Sequence, residues 1–110
     1  MSINQLTDDN FKEVISSEKP VVLVFSALAW CKPCVELHKI CEKLLTTDLS
    51  NEVTIYNADI EGACLNVSSE LGIRGVPQTY IYRKNEMIGS QTGMLPESHF
   101  IKFIKDSISK

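Results

Sequence analysis

The sequence predicts an α/β protein with a mixed central β-sheet and helices on both faces, in the order β-α-β-α-β-α-β-β-α. Three observations carry this. The run VVLVF at residues 21–25 is continuously apolar and rich in β-branched and aromatic residues, the mark of a strand buried on both faces. Strand-like runs alternate with segments of helical period through most of the chain. Two strand-like runs joined by Lys84-Asn85-Glu86 then mark an antiparallel hairpin.

Each element has its own local signal. Ile3 to Leu6 is a short strand candidate. Thr7 reads as an N-cap, with the acidic Asp8 and Asp9 in the first turn after it. Phe11, Val14 and Ile15 recur at helical spacing, and Lys19-Pro20 closes that helix. After the strand from Val21 to Phe25, the segment CKPC opens a long helix. Cys34, Leu37, His38, Cys41, Leu44 and Leu45 fall on one of its faces. Val53 to Ala58 is the next central strand. Asp59 to Gly62 turns into a short helical region that runs through Leu71, and Gly72 ends it as a left-handed cap. Gln78 to Arg83 and Met87 to Ser90 are the hairpin strands. Gly93 precedes a last helix that carries Pro96 near its first turn and buries Phe100, Phe103, Ile104 and Ile108.

The chain has 110 residues, which implies one domain over 1–110, long enough to bury a core without metals or cross-links as props. With 44% apolar and 23% charged residues, its composition is that of an ordinary globular protein. The net charge is −3 and no Lys/Arg run occurs, so a nucleic-acid partner is disfavoured. The N-terminus lacks the basic start and apolar run of a signal peptide, and no apolar stretch is long enough to span a bilayer. A cytoplasmic setting is therefore expected, with no membrane association. Thiols are kept reduced there, so the four cysteines point to catalysis or metal binding before structural disulfides.

Cys31 and Cys34 stand where a buried strand gives way to a helix. Unpaired amides and the helix dipole at that end favour a negative charge, which activates a thiolate at Cys31. Cys34 is one helical turn on, on the same face and within disulfide reach. It can displace a partner from Cys31 and is the inner, protected thiol. Pro33 sits where a missing N–H costs little. Lys32 adds a positive charge that lowers the thiolate pKa modestly if solvated. Trp30 is a flat apolar wall beside the sulfur, able to shield a disulfide and touch a partner. A metal knuckle is the competing reading of a CxxC pair, with Cys41, Cys64 or His38 as further ligands. No second CxxC or HxxxH exists and Pro33 stiffens the loop, so no metal is expected.

The chain resembles the thioredoxin family along essentially its whole length. LTDDNF, VVLVF, AWCKPC, then GIRGVP at residues 72–77 and Gly93 occur in the family's order. The resemblance implies the thioredoxin fold and a dithiol–disulfide oxidoreductase using Cys31 as nucleophile and Cys34 as resolving thiol; on the residues themselves, Lys32 and Pro33 between the two cysteines are expected to tune the pair. It implies that the Val76–Pro77 bond is cis and that Trp30, Gly75, Val76, Pro77 and Gly93 form the substrate groove. There a partner segment would pair with the Val76 backbone. On the residues alone, Pro77 reads as an ordinary trans proline opening a strand, and Gly75 and Gly93 as turn glycines. Implied partners are disulfide-containing proteins and an NADPH-using flavin reductase, with no bound cofactor. A monomer is expected.

The chain departs from the family in four places. Lys32 replaces a usual Gly. The family's buried Asp would fall at Val24 or Phe25, and its Lys partner at Asn57. The stretch FSALAW is one residue longer than the family's FWAEW and lacks its first Trp. Loss of both charges together avoids stranding one in the core. It leaves deprotonation of Cys34 to water or to another group. The alternative reading is a binding module of this fold, a subunit of a partner enzyme with incidental redox activity.

Other residues carry weaker signals. Cys41 reads as a small core residue. Cys64, after a glycine, is expected to be more exposed and is a candidate regulatory or dimerising thiol. His38 and His99 read as ordinary helix residues. Asp59, Glu61 and Glu70 read as solvated or capping charges. Met94 and Leu95 would either rim the groove or pack the last helix, and Arg74 would be surface charge.

Overall fold

The computed structural model describes residues 3–109. Met1, Ser2 and Lys110, the outermost residues of the expected domain, lie outside the described residues. Five strands form one mixed sheet: β1 (Asn4–Leu6), β2 (Val21–Ser26), β3 (Thr54–Asp59), β4 (Gln78–Arg83) and β5 (Glu86–Thr92). Their order across the sheet is β1-β3-β2-β4-β5. β3 runs parallel to β1 and β2, whereas β4 is antiparallel to both β2 and β5. Four helices flank the sheet: α1 (Phe11–Ile15), α2 (Lys32–Leu44), α3 (Leu65–Glu70) and α4 (Glu97–Ile108). A 3-10 turn at Asp48–Asn51, with no sequence expectation behind it, links α2 to β3.

β2 lies in the middle of the sheet, and all six of its residues are buried. Such a strand must be apolar on both faces, which is why its run does not alternate. One face carries Val22, Val24, Ile55 and Ile81 against Leu37, Cys41 and Leu44 of α2 and Phe100 and Ile104 of α4. The other carries Leu23, Phe25 and Ala58 with Val14 of α1 and Val67 of α3. Each fully buried large side chain in these layers contributes about 1.5–3 kcal/mol of transfer free energy.

Several local expectations need correction. α1 begins at Phe11 rather than directly after Thr7. Thr7 and Asn10 instead bond reciprocally, Asn10 N donating to Thr7 Oγ1 at 3.0 Å and Thr7 N to Asn10 Oδ1 at 2.7 Å. With Phe11 N donating to Thr7 O at 3.1 Å, this is a reciprocal capping arrangement, so Thr7 caps the turn that leads into α1 as its sequence position suggests. Asp8 serves another element: its carboxylate accepts from Val67 N at 2.8 Å and Asn66 N at 3.2 Å. It thereby satisfies two orphan amides in the first turn of α3. On α2, Leu37, Cys41 and Leu44 are buried with Cys34, but His38 and Leu45 are only half-buried. On α4 the third buried residue is Ser107, while Phe103 and Ile108 are half-covered. Ser107 is buried because α4 crosses β5 at Gly89. A β-carbon on Gly89 would stand 2.9 Å from Ser107 Cβ and overlap its hydroxyl. Gly72, with φ of +70°, is the expected left-handed residue after α3.

Candidate active site

The site forms where β2 ends. After Ser26 the chain folds on itself, with Trp30 N and Cys31 N both donating to Ala27 O, at 3.2 and 2.9 Å. Cys31 is extended and caps α2, its sulfur accepting from Cys34 N at 3.2 Å. Pro33 occupies the first turn of α2, where its missing N–H donor would have had no intrahelical partner. A disulfide joins Cys31 to Cys34, their Cα atoms 5.2 Å apart. Cys31 keeps 6% of its surface exposed and Cys34 none. The sulfurs pack with Ala27, Ile60 and Val76 in a small cluster apart from the two main cores.

The loop before β4 supplies the opposite wall. Its Val76–Pro77 peptide bond is cis. Val76 O lies 3.9 Å from Cys31 Sγ. Gly93 N donates to Pro77 O at 2.9 Å, and Gly93 itself has a φ of +87°, which glycine adopts without strain. The Gln78 side chain ties the start of β4 to the end of β5, donating to Gln91 O at 3.1 Å and accepting from Thr92 Oγ1 at 2.8 Å. Gly75 is exposed, and a β-carbon there would meet nothing within 4 Å. The folded chain alone therefore places no steric demand for glycine at 75.

Trp30 is 63% exposed, and its indole N–H donates to Glu61 Oε1 at 2.7 Å. Glu61 is thus more than a solvated charge: it holds the indole beside the cysteine pair. Lys32 is exposed at the start of α2. Leu28 and Met94 are exposed apolar side chains on the two loops that flank the site. Arg74 is exposed on the loop that leads to Val76.

Val24 and Phe25 fall in opposite cores. Asn57 pairs with Val24 across β2 and β3. Phe25 belongs to the opposite core and meets Tyr80 edge-on with ring centroids 5.8 Å apart. The polar groups that do occur near Val24 are Ser26, Asn57 and Thr79. Ser26 Oγ donates to Asn57 Oδ1 at 2.6 Å, both residues being buried. Thr79 faces Val24 from β4. Sequence reading passed over Ser26 and Thr79, although a polar residue inside an otherwise apolar buried strand is itself a signal.

The other two cysteines are thiols set apart from the pair. Cys41 is buried in the α2–α4 core, and Cys64 in the opposite one. The expectation of an exposed Cys64 is overturned. It is fully buried and its S–H donates to Leu6 O at 3.0 Å. Burial pushes both thiols up to about 12, helped by Glu42 at Cys41 and by Asp8 and Asp59 at Cys64. A buried neutral thiol of this kind is inert, so Cys64 does not suit a regulatory or dimerising role. The alternative metal ligands are likewise dispersed. Among the described residues no group of three or more His, Cys, Asp or Glu side chains is placed to hold a metal ion. No described helix is long and apolar enough to cross a membrane.

Comparison with known proteins follows the same lines. A family model described as Thioredoxin matches residues 2–106. Thioredoxin C-2 of Corynebacterium nephridii is 30% identical over 108 residues, covering 97% of this chain and 97% of that one. A thioredoxin of Pyropia yezoensis is 31% identical over 111 residues, covering 99% of this chain and all of that one. The crystal structure of a Malassezia sympodialis thioredoxin superposes with a TM-score of 0.82 at 27% identity, covering 96% of this chain and 91% of that one.

Proposed function

The chain belongs to the thioredoxin family and is a protein dithiol–disulfide oxidoreductase, and on that premise we propose that Cys31 attacks the target and Cys34 resolves it. The asymmetry of the pair carries this assignment: a disulfide across the first turn of α2 in which only Cys31 reaches the surface. A thiolate at Cys31 would keep the hydrogen bond from Cys34 N and sit at the positive end of α2, both of which favour its charge. It attacks one sulfur of a target disulfide, forming Cys31–S–S–R and releasing the other target sulfur as a thiol. Cys34 then attacks Cys31 Sγ, and the second target sulfur leaves as R–SH. The target gains two electrons and two protons, and the protein is left as the disulfide.

Trp30, Gly75, Val76, Pro77 and Gly93 form the docking groove in this reading. An extended target segment pairs with the Val76 backbone, which lies beside Cys31 Sγ. Lys32 and Pro33 tune the pair. The two sulfurs carry the electrons themselves, so no resident cofactor takes part. A flavin reductase using NADPH returns the dithiol, and the protein acts as a monomeric single domain over 1–110 in the cytoplasm. These points extend what the family establishes.

Insulin reduction driven by dithiothreitol tests the assignment. Turnover should vanish in Cys31→Ser. The Cys34→Ser chain should accumulate mixed disulfides at Cys31 with its targets. Trapping by Cys31→Ser through residue 34 would reverse the two roles.

A further inference from the structure

Thr79 Oγ1 is, among the described residues, a fully buried hydroxyl with no hydrogen-bond partner. Orphaned polar groups in packed interiors are costly and call for a reason. Its place in the fold offers one. Thr79 pairs with Val24 of β2, which in turn pairs with Asn57 of β3, so the three share one sheet face. On that face Val22, Val24, Ile55 and Ile81 pack against Leu37, Cys41 and Leu44 of α2. Cys34 belongs to the same buried stripe of α2, one turn nearer the helix start than Leu37. It packs with Ala27, one residue beyond β2, and with Val76, three residues before Thr79. Thr79 thus lies in the layer between sheet and α2, at the end of the sheet where Cys34 is held. Asn57 Oδ1 in the same row is already taken by Ser26.

We infer that Thr79 is a positioning residue for Cys34, its hydroxyl donating to the Cys34 sulfur as that sulfur takes on negative charge, in a site without a buried carboxylate. The inference rests on the reading of Cys34 as the resolving thiol. With the disulfide closed the hydroxyl has no acceptor in place, and the Cys34 sulfur is tied to Cys31. A thiolate is a strong acceptor. In the resolving step, Cys31–S–S–R and Cys34–SH become Cys31–S–S–Cys34 and R–SH. One S–S bond forms and one breaks, the Cys34 sulfur is oxidised, the partner sulfur is reduced, and the proton leaves with it.

Reaction of the reduced protein with excess 5,5′-dithiobis(2-nitrobenzoate) separates the two steps. The first aryl thiolate appears at a rate proportional to reagent, from attack by Cys31. The second appears at a reagent-independent rate, from resolution by Cys34. Thr79→Val should slow the second phase about tenfold and leave the first within about twofold, as expected for one lost hydrogen bond to a charged acceptor. Thr79→Ser, which keeps the hydroxyl, should resolve at the wild-type rate. A second phase unchanged in Thr79→Val overturns the inference. So does a Thr79→Ser chain slowed tenfold, which places the effect in the packing of the methyl group. Cys34→Ser should lack the second phase altogether. If the phase persists there, the resolving role of Cys34 fails, whatever Thr79 does.

Discussion

Removing Cys31 should leave a protein with three cysteines and almost no native thiol reactivity. In the reduced Cys31→Ser chain, the remaining thiols are Cys34, Cys41 and Cys64, all buried. Cys41 and Cys64 are pushed from 9.0 up to about 12. At pH 8 an ordinary thiol at 9.0 is about one-tenth ionised, and one at 12 about one part in ten thousand, a loss of about a thousandfold. A more basic thiolate is also a better nucleophile. With a Brønsted coefficient of about 0.5, three units return a factor of about thirty. The net chemical handicap is therefore about thirtyfold, before any steric exclusion. The assay is reaction with a small aromatic disulfide at pH 8, followed by peptide mapping, with free cysteine as reference. Labelling at residues 41 and 64 should be at least about thirtyfold slower than the reference and should reach its full rate in urea. It should still rise tenfold from pH 9 to 10, where the reference levels off. Native labelling of Cys64 within about threefold of free cysteine would refute the argument and restore a reactive role for that thiol.

Four further outcomes follow from particular contacts. Asp8→Ala removes the acceptor of two α3 amides and should cost about 1–2 kcal/mol in urea unfolding, with Asp8→Asn milder because it retains an acceptor oxygen. Gly89→Ala should cost about 1–3 kcal/mol, because its new methyl meets Ser107 and α4 must move off β5; an unchanged urea midpoint would show that the approach is looser than 2.9 Å. Ser26→Ala leaves a buried Asn57 oxygen unpaired and should cost about 1–3 kcal/mol, read by the same titration. Stability of the reduced protein should fall as pH rises from about 9 toward 12, since Cys41 and Cys64 keep their protons only when folded. The buried Tyr82 hydroxyl, raised by burial and by Tyr80, acts in the same direction, and a urea midpoint equal at pH 8 and pH 10 would contradict this.

The sequence by itself determined whatever depends on neighbours a few residues apart. The unbroken apolar run of β2, the single helical turn between Cys31 and Cys34, the left-handed Gly72 and the turn at Lys84 and Asn85, with φ of 52° and 69°, are set by backbone preferences and side-chain spacing. The family resemblance supplied the fold and the exchange chemistry, because its motifs span the chain in order. Tertiary structure decided what depends on remote segments meeting. Cys64 donates to Leu6, 58 positions away, so its burial could not be read from the glycine beside it. Asp8 looks like a first-turn acid of α1, yet β1 and α3 come close enough for it to hold the start of α3 instead. Thr79, Ser26 and Asn57 become neighbours only when β4, β2 and β3 pair side by side. The physical reason is the same throughout: a side chain's periodicity is local, but the dielectric and the hydrogen-bond partners around it belong to whichever strand or helix packs against it.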